Sequence, residues 1–215
     1  MLGRVLAIAL NTYRESVRAR ILLGLAGVAF AVAIYSLIVG AFTLKAAPRV
    51  VSDLGAASIS IFSIAVAVVI GGTSLHRELE QKTIFPILAR PILRSEYLVG
   101  KYLGTLLTIA VFILADSGLV LLIGAALAGR PVGLVLGTGA LTLAALAALA
   151  WRFPAARTFG FIPWAAAFCA LGAFLASIAP EERRVVLGSS ALAFLEVGII
   201  AAVATLFSAF STPFL

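Results

Sequence analysis

Six stretches of about 20 residues or more are almost free of charge, and no other feature constrains the chain as tightly. A bilayer core about 30 Å thick is crossed by about 20 helical residues rising about 1.5 Å each. The windows run from Ile21 to Leu44, Leu54 to Leu75, Leu103 to Ala128, Pro131 to Ala150, Phe159 to Ala179 and Val185 to Phe207. Only Asp116 in the third and Glu196 in the sixth interrupt them. With 63% of 215 residues hydrophobic, 12% charged and a mean hydropathy of +1.18, no water-soluble fold can hide the apolar surface. A β-barrel would alternate apolar and polar residues, whereas Gly139 to Ala150 is an unbroken run rich in Ala and Leu. The expected fold is an all-α polytopic membrane protein with about six transmembrane helices. Punctuation supports the cuts: Ser52 and Asp53 can cap the second span, Pro131 suits the first turn of the fourth, and Pro180 with Glu181 and Glu182 suits the start of the sixth.

Lys and Arg set the orientation. With the N terminus taken as cytoplasmic, the inside set is Arg4, Arg14, Arg18, Arg20, Arg77, Lys82, Arg90, Arg94, Lys101, Arg152 and Arg157, which is eleven. The outside set is Lys45, Arg49, Arg130, Arg183 and Arg184, which is five. This bias places both termini in the cytoplasm of a multi-pass protein of the cytoplasmic (inner) membrane. It also makes membrane lipid, and not nucleic acid, the partner of the basic segments. The outside connections are so short that recognition of a substrate falls to the membrane or the cytoplasmic side.

At 100° per residue, Leu2, Leu6, Ala9, Leu10, Tyr13 and Val17 share an arc of about 100°, opposite Arg4, Asn11, Arg14, Glu15 and Arg18, with Ile8 the exception. This reads as an interfacial amphipathic helix over residues 1–20, lying in the plane of the leaflet. The competing readings are an extended start of the first span and a secretory signal. Against the signal, the charges from Arg14 to Arg20 follow the apolar part.

Between the second and third spans lies the longest charged stretch, His76 to Lys101. Thr83 can cap a short helix, Pro86 fits its first turn and Pro91 stops it, which leaves Ile84 to Ala89. Ser95 then caps the next helix, with Glu96 complementing its dipole. The apolar Ile84, Phe85, Ile87 and Leu88 have little to bury against within the chain, which suits the groove of a partner protein. The bland alternative is a solvated connection.

The run from Arg77 to Gly104, RELEQKTIFPILARPILRSEYLVGKYLG, resembles the loop between the second and third helices of type 2 ABC exporter permeases. There an acidic stretch, a Thr, a Leu-x-x-Pro, an Arg and a Gly-Lys follow in order, matched here by Glu78, Glu80, Thr83, Leu88, Pro91, Arg94, Gly100 and Lys101. Thr12, Arg14, Glu15, Arg18 and Ile21 look like the same family's interfacial helix entering its first span. The resemblance covers residues 1 to about 128 and resumes at Phe207 to Leu215. It implies a permease subunit that forms the translocation path of an ATP-driven exporter, as a homodimer or as a heterodimer with a second permease. It further implies that the short cytoplasmic helix is a coupling helix docking a separate ABC ATPase subunit, through Glu78, Glu80, Thr83, Phe85, Pro86, Ile87, Leu88, Pro91 and Arg94. The implied organisation is an interfacial helix (1–20), two spans (21–75), the coupling loop (76–102) and the remaining spans (103–215). Pro131 to Arg184 looks like a helix pair added to the family pattern. The family continues with two further spans past the point matching Leu215, so a C-terminally truncated permease and a six-span variant both remain open.

Catalytic chemistry on this chain is not expected. The Gly100-Lys101 pair has Ser95 and Tyr102 where a phosphate-binding loop requires Gly and Ser or Thr, so ATP and Mg are left to the partner. One histidine, His76, and one cysteine, Cys169, leave no basis for a metal site, a bound cofactor or a disulfide. Gly100 to Gly104 and Gly133 to Gly137 match G-x-x-x-G and suit close packing within the chain or between two chains. Asp116 and Glu196 are costly at mid-bilayer, about 2.5 to 3.5 kcal/mol each on insertion scales, and are expected to be protonated, paired or facing a cavity. They support the alternative of an ion-coupled secondary transporter; a non-transporting membrane scaffold is the third reading.

The Lys and Arg asymmetry generates a topology prediction. In a Cys169→Ala background, single cysteines at Arg49 and Arg184 label from outside, and those at Arg94 and Arg157 label only after permeabilisation. External labelling at Arg94 reverses the assignment.

Overall fold

A computed structural model describes residues 2–18, 20–42, 47–80 and 93–210, with the backbone alone described at 20–23, 41, 73–80, 94 and 209–210. The regular structure among them is helical: α1 (Leu2–Arg18), α2 (Arg20–Phe42), α3 (Ala47–Glu80), α4 (Arg94–Leu127), α5 (Val132–Arg152), α6 (Ala156–Phe159), α7 (Phe161–Leu175), a 3-10 turn (Ala176–Ile178) and α8 (Pro180–Phe210). Hydrocarbon leaves no water to bond N–H and C=O groups, so each crossing must satisfy them internally. Among the described residues, five helical stretches are long and apolar enough to cross a membrane: Ala47–Gly72, Ser95–Leu127, Val132–Arg152, Ala156–Ile178 and Pro180–Ser208. The window expected from Ile21 to Leu44 falls on α2, where Gly24–Gly40 forms a shorter apolar stretch.

The central element is α4, which packs against α1, α3, α7 and α8. Its Ile109, Phe112, Ile113 and Val120 join Ile59 and Val66 of α3, Phe168 of α7 and Val197 of α8 in one buried cluster. Glycines permit the closest approaches. A Cβ on Gly118 of α4 would stand 2.5 Å from Phe168 Cδ1 and 3.0 Å from the Cys169 nitrogen, and one on Gly55 of α3 would meet the Val120 side chain at 2.3 Å. Hydroxyls add cross-links. Ser117 and Ser190 bond at 2.7 Å between α4 and α8, Tyr102 donates to the Gly198 carbonyl at 3.1 Å, and Ser208 donates to the Gly72 carbonyl of α3 at 2.9 Å.

Connections at the two ends of the bundle are tied separately. Where α4 meets α5, Gly129 adopts φ +102°, Arg130 N–H donates to Ala125 O and Gly129 N–H donates to Ala126 O, a Schellman stop whose left-handed residue favours glycine. The Arg130 guanidinium then donates to Leu175 O and Ser177 Oγ, both at 3.2 Å, joining this turn to the one before α8. At the opposite end, Tyr13 of α1 donates to the Thr158 carbonyl of α6 at 3.2 Å and stacks on Phe159 with ring centroids 6.1 Å apart. Burial pushes the Tyr13 phenol up to about 12.

Several expectations are corrected. Ser52 and Asp53 do not cap the second span: α3 starts earlier at Ala47, with Pro48 in its first turn, and Ser52 Oγ donates back to Arg49 O at 2.8 Å. Leu93, not Ser95, precedes α4, and Glu96 serves that start by accepting the Leu93 N–H at 3.4 Å. The fifth window coincides with the span Ala156–Ile178, in which a turn at Gly160 marks α6 off from α7. Helix α1 is amphipathic, but the face it packs inward is not the whole apolar arc. Ala9, Thr12, Tyr13 and Ser16 are buried, while Leu2 and Leu6 are 87% and 61% exposed and available to lipid. Ile8, the residue out of pattern, lies over Gly100: a Cβ there would stand 2.7 Å from Ile8 Cβ.

The two G-x-x-x-G matches therefore differ. Gly100 and Gly104 seat α1, a Cβ on Gly104 standing 2.5 Å from the Ala9 carbonyl oxygen, whereas Gly133 and Gly137 have nothing within 4 Å. Gly104→Ala is expected to destabilise by about 1 to 3 kcal/mol through overpacking. Gly137→Ala, in open space, is expected to stabilise by up to about 1 kcal/mol through helix propensity. Thermal unfolding of the purified variants in one detergent reads both; equal midpoints would remove the close α1–α4 contact from the account.

Candidate functional site

The helices that flank the expected docking loop are long. With 34 residues each, α3 and α4 span about 51 Å at about 1.5 Å per residue, well beyond a core of about 30 Å. Of the residues assigned to docking, Glu78 and Glu80 lie on the last turn of α3, with their side chains undescribed, and Arg94 opens α4 in the same condition. Thr83, Phe85, Pro86, Ile87, Leu88 and Pro91, and with them the whole short helix expected over Ile84 to Ala89, lie outside the described residues.

What the structure does describe is the footing of that loop. Its polar groups are unexpectedly buried: Glu96 is 5% exposed, Lys101 2% and Thr105 fully enclosed. The Lys101 ammonium lies 5.7 Å from the centroid of the Tyr97 ring, a cation–π distance. On the same turns Gly100 and Gly104 admit α1, so one face of the start of α4 is enclosed by packing while Leu98, Val99 and Leu103 stay exposed, and Tyr102 fastens it to α8. Sequence reasoning counted Lys101 among the cytoplasmic cations and gave no signal of its burial.

The two intramembrane acids are placed differently. Asp116, in the C-terminal half of α4 and at the middle of the third apolar window, is 3% exposed, and neither carboxyl oxygen has a hydrogen-bond partner among the described residues. Gly55 opposes Val120, and α3 and α4 run antiparallel, so Asp116 is level with the fully buried Ile59 one turn further along α3. Beside it on α4, the Ser117–Ser190 pair completes a polar layer within the bundle. Glu196 is not in this layer. It is exposed on α8 and makes no hydrogen bond or ion pair with a described residue. No cluster of three or more His, Cys, Asp or Glu side chains that could hold a metal ion occurs among the described residues.

A family model described as ABC-2 family transporter protein matches residues 6–214, and so spans the helix pair between Pro131 and Arg184 that the sequence resemblance left uncovered. Comparison with curated proteins and with solved structures finds no match. The long apolar helices and a family match over nearly the whole chain agree: this multi-pass integral membrane protein belongs to the ABC-2 transporter family, as a permease subunit of an ABC transporter.

Proposed function

We propose that the permease works in export, driven by ATP hydrolysed on a separate ATPase subunit that docks on the loop 76–101. The loop and both termini then face the cytoplasm, and the chain sits in the inner membrane as a pair with a second permease. The observation that carries this reading is the footing of the loop. Two 34-residue helices lead into and out of it, and the outgoing one is packed along α1, α3, α7 and α8. A force applied at residues 81–92 therefore reaches α4, and through α4 most of the bundle. Protein interiors are close-packed and transmit displacement, so a partner that rocks the loop re-aims the helices that line a path.

Asp116 favours a second reading, ion-coupled transport, because a buried carboxyl without a hydrogen-bond partner among the described residues can carry a proton or hold a cation. The two readings separate by substitution. If the acid takes no part in transport, Asp116→Asn and Asp116→Leu both keep transport at comparable membrane abundance, because neither leaves a described group without its hydrogen bond. Loss of transport with both variants, each at normal abundance, would move the weight to ion coupling.

Docking is tested at the loop. Ile87→Asp or Leu88→Asp puts a charge into an apolar groove and is expected to cost about 2 to 5 kcal/mol of association with the ATPase subunit. Pro91→Ala lets the short helix run on past Arg90 and re-aims it. No apolar window is touched, so membrane insertion persists. Detergent co-purification of the ATPase subunit with each variant is the measurement, alongside monodispersity of the membrane chain. Equal recovery with wild type and Leu88→Asp would leave the loop a solvated connection.

A further inference from the structure

Arg184, in the first turn of α8, is matched by Glu181 at 3.6 Å. The arginines around the contact of α1 with α6 have no such acid. Arg14 and Arg18 of α1, Arg152 of α5 and Arg157 of α6 are all exposed, and none forms an ion pair with a described residue. The one acid on these three elements is Glu15. Two of the guanidinium groups are nonetheless set in place. Arg152 lies over the Phe153 ring, 5.2 Å from its centroid, and makes no hydrogen bond with a described residue. Arg157 donates its Nε–H to the Ala150 carbonyl at 3.1 Å, near the end of α5, which leaves both of its Nη groups to bond elsewhere. The bond from Tyr13 to the Thr158 carbonyl brings α1, and with it Arg14, to the residue that follows Arg157.

The aromatic residues give the depth. Trp151 is 88% exposed and Phe153 51%, at the end of the apolar span Val132–Arg152. Exposed rings at the end of a span sit at headgroup level, so the guanidinium groups beside them sit there too. We propose that Arg152 and Arg157, joined by Arg14 from α1, form a site for the headgroup of an anionic phospholipid. Its phosphate is bonded by the planar guanidinium groups, and its acyl chains run along α5, where Leu149 is exposed one turn back from Arg152. A headgroup of net negative charge is preferred to a zwitterion, whose own ammonium offsets the phosphate among cations that lack an acid. A second copy of the chain does not suit this surface, because in the same orientation it brings the same arginines to the same depth. The proposal goes beyond the docking reading and involves neither an ATPase nor a choice of leaflet.

The test is native mass spectrometry of the purified chain with added dioleoyl phosphatidylglycerol or dioleoyl phosphatidylcholine, alongside thermal unfolding in the same detergent. Wild type is expected to retain phosphatidylglycerol several-fold more than phosphatidylcholine, and to unfold at a higher temperature only with the former. Arg152→Gln and Arg157→Gln are each expected to lower that retention by about fivefold, the effect of one cation at the membrane surface. Arg152→Lys is expected to recover part of it, and Arg184→Gln to keep it whole. Arg157 also bonds the end of α5, so Arg152→Gln, which breaks no hydrogen bond, is the deciding variant. Equal retention of the two lipids overturns the proposal, as does wild-type retention in Arg152→Gln or an equal loss in Arg184→Gln. Stabilisation by inorganic phosphate as large as that by phosphatidylglycerol also overturns it, by making this a site for free anions.

Discussion

Helices in hydrocarbon gain little by burying apolar surface against one another, because the lipid is as apolar as their side chains. What holds them together is close van der Waals contact and the hydrogen bonds that small and hydroxylated residues allow. In this bundle α4 concentrates both. Gly100, Gly104 and Gly118 open its surface to the backbones of α1 and α7, and Ser117 and Tyr102 bond to α8. The remaining helices are arranged largely by what they can place against this one. By contrast α5 buries little beyond Val135 and Thr142 and is held chiefly at its ends.

The spans were legible because charge at membrane depth is costly enough to dictate where it occurs; the windows and the helices coincide to within a few residues at most ends. Helix starts were less legible. Ser52 looks like a cap but donates to a carbonyl within its own helix, and local hydroxyl chemistry does not distinguish those two uses. Helix α1 shows a subtler failure. Its apolar arc identifies a surface-seeking helix but not how that surface divides between lipid and protein. Thr12 and Ser16 are buried because their hydroxyls bond to Ile8 O and Thr12 O, which leaves them small and self-satisfied against α4. Ile8 looked like noise and is a contact residue.

Asp116 and Glu196 look alike in sequence, each an acid near the centre of an apolar window. The structure separates them because burial on a helix depends on which of its faces meets a neighbour, and α4 has neighbours nearly all round whereas α8 presents one side outward. Periodicity could not reveal this: both windows are apolar on every face. The docking loop is the reverse case. There the residue order carries the information, and residues 81–92 lie outside what the structure describes.

The bond from Tyr13 to Thr158 joins residues 145 positions apart. Helix α1 precedes both of its anchors in the chain, so its seat on α4 and its fastening to α6 arrive later in synthesis. At about 5 to 20 residues per second, synthesis of the intervening chain takes roughly 7 to 30 s. Until α4 emerges partway through that interval, α1 has the leaflet surface to rest on, and its outward Leu2 and Leu6 suit it to wait there. Closure of α1 onto the bundle is thus a late event in biogenesis, completed only when α6 has emerged.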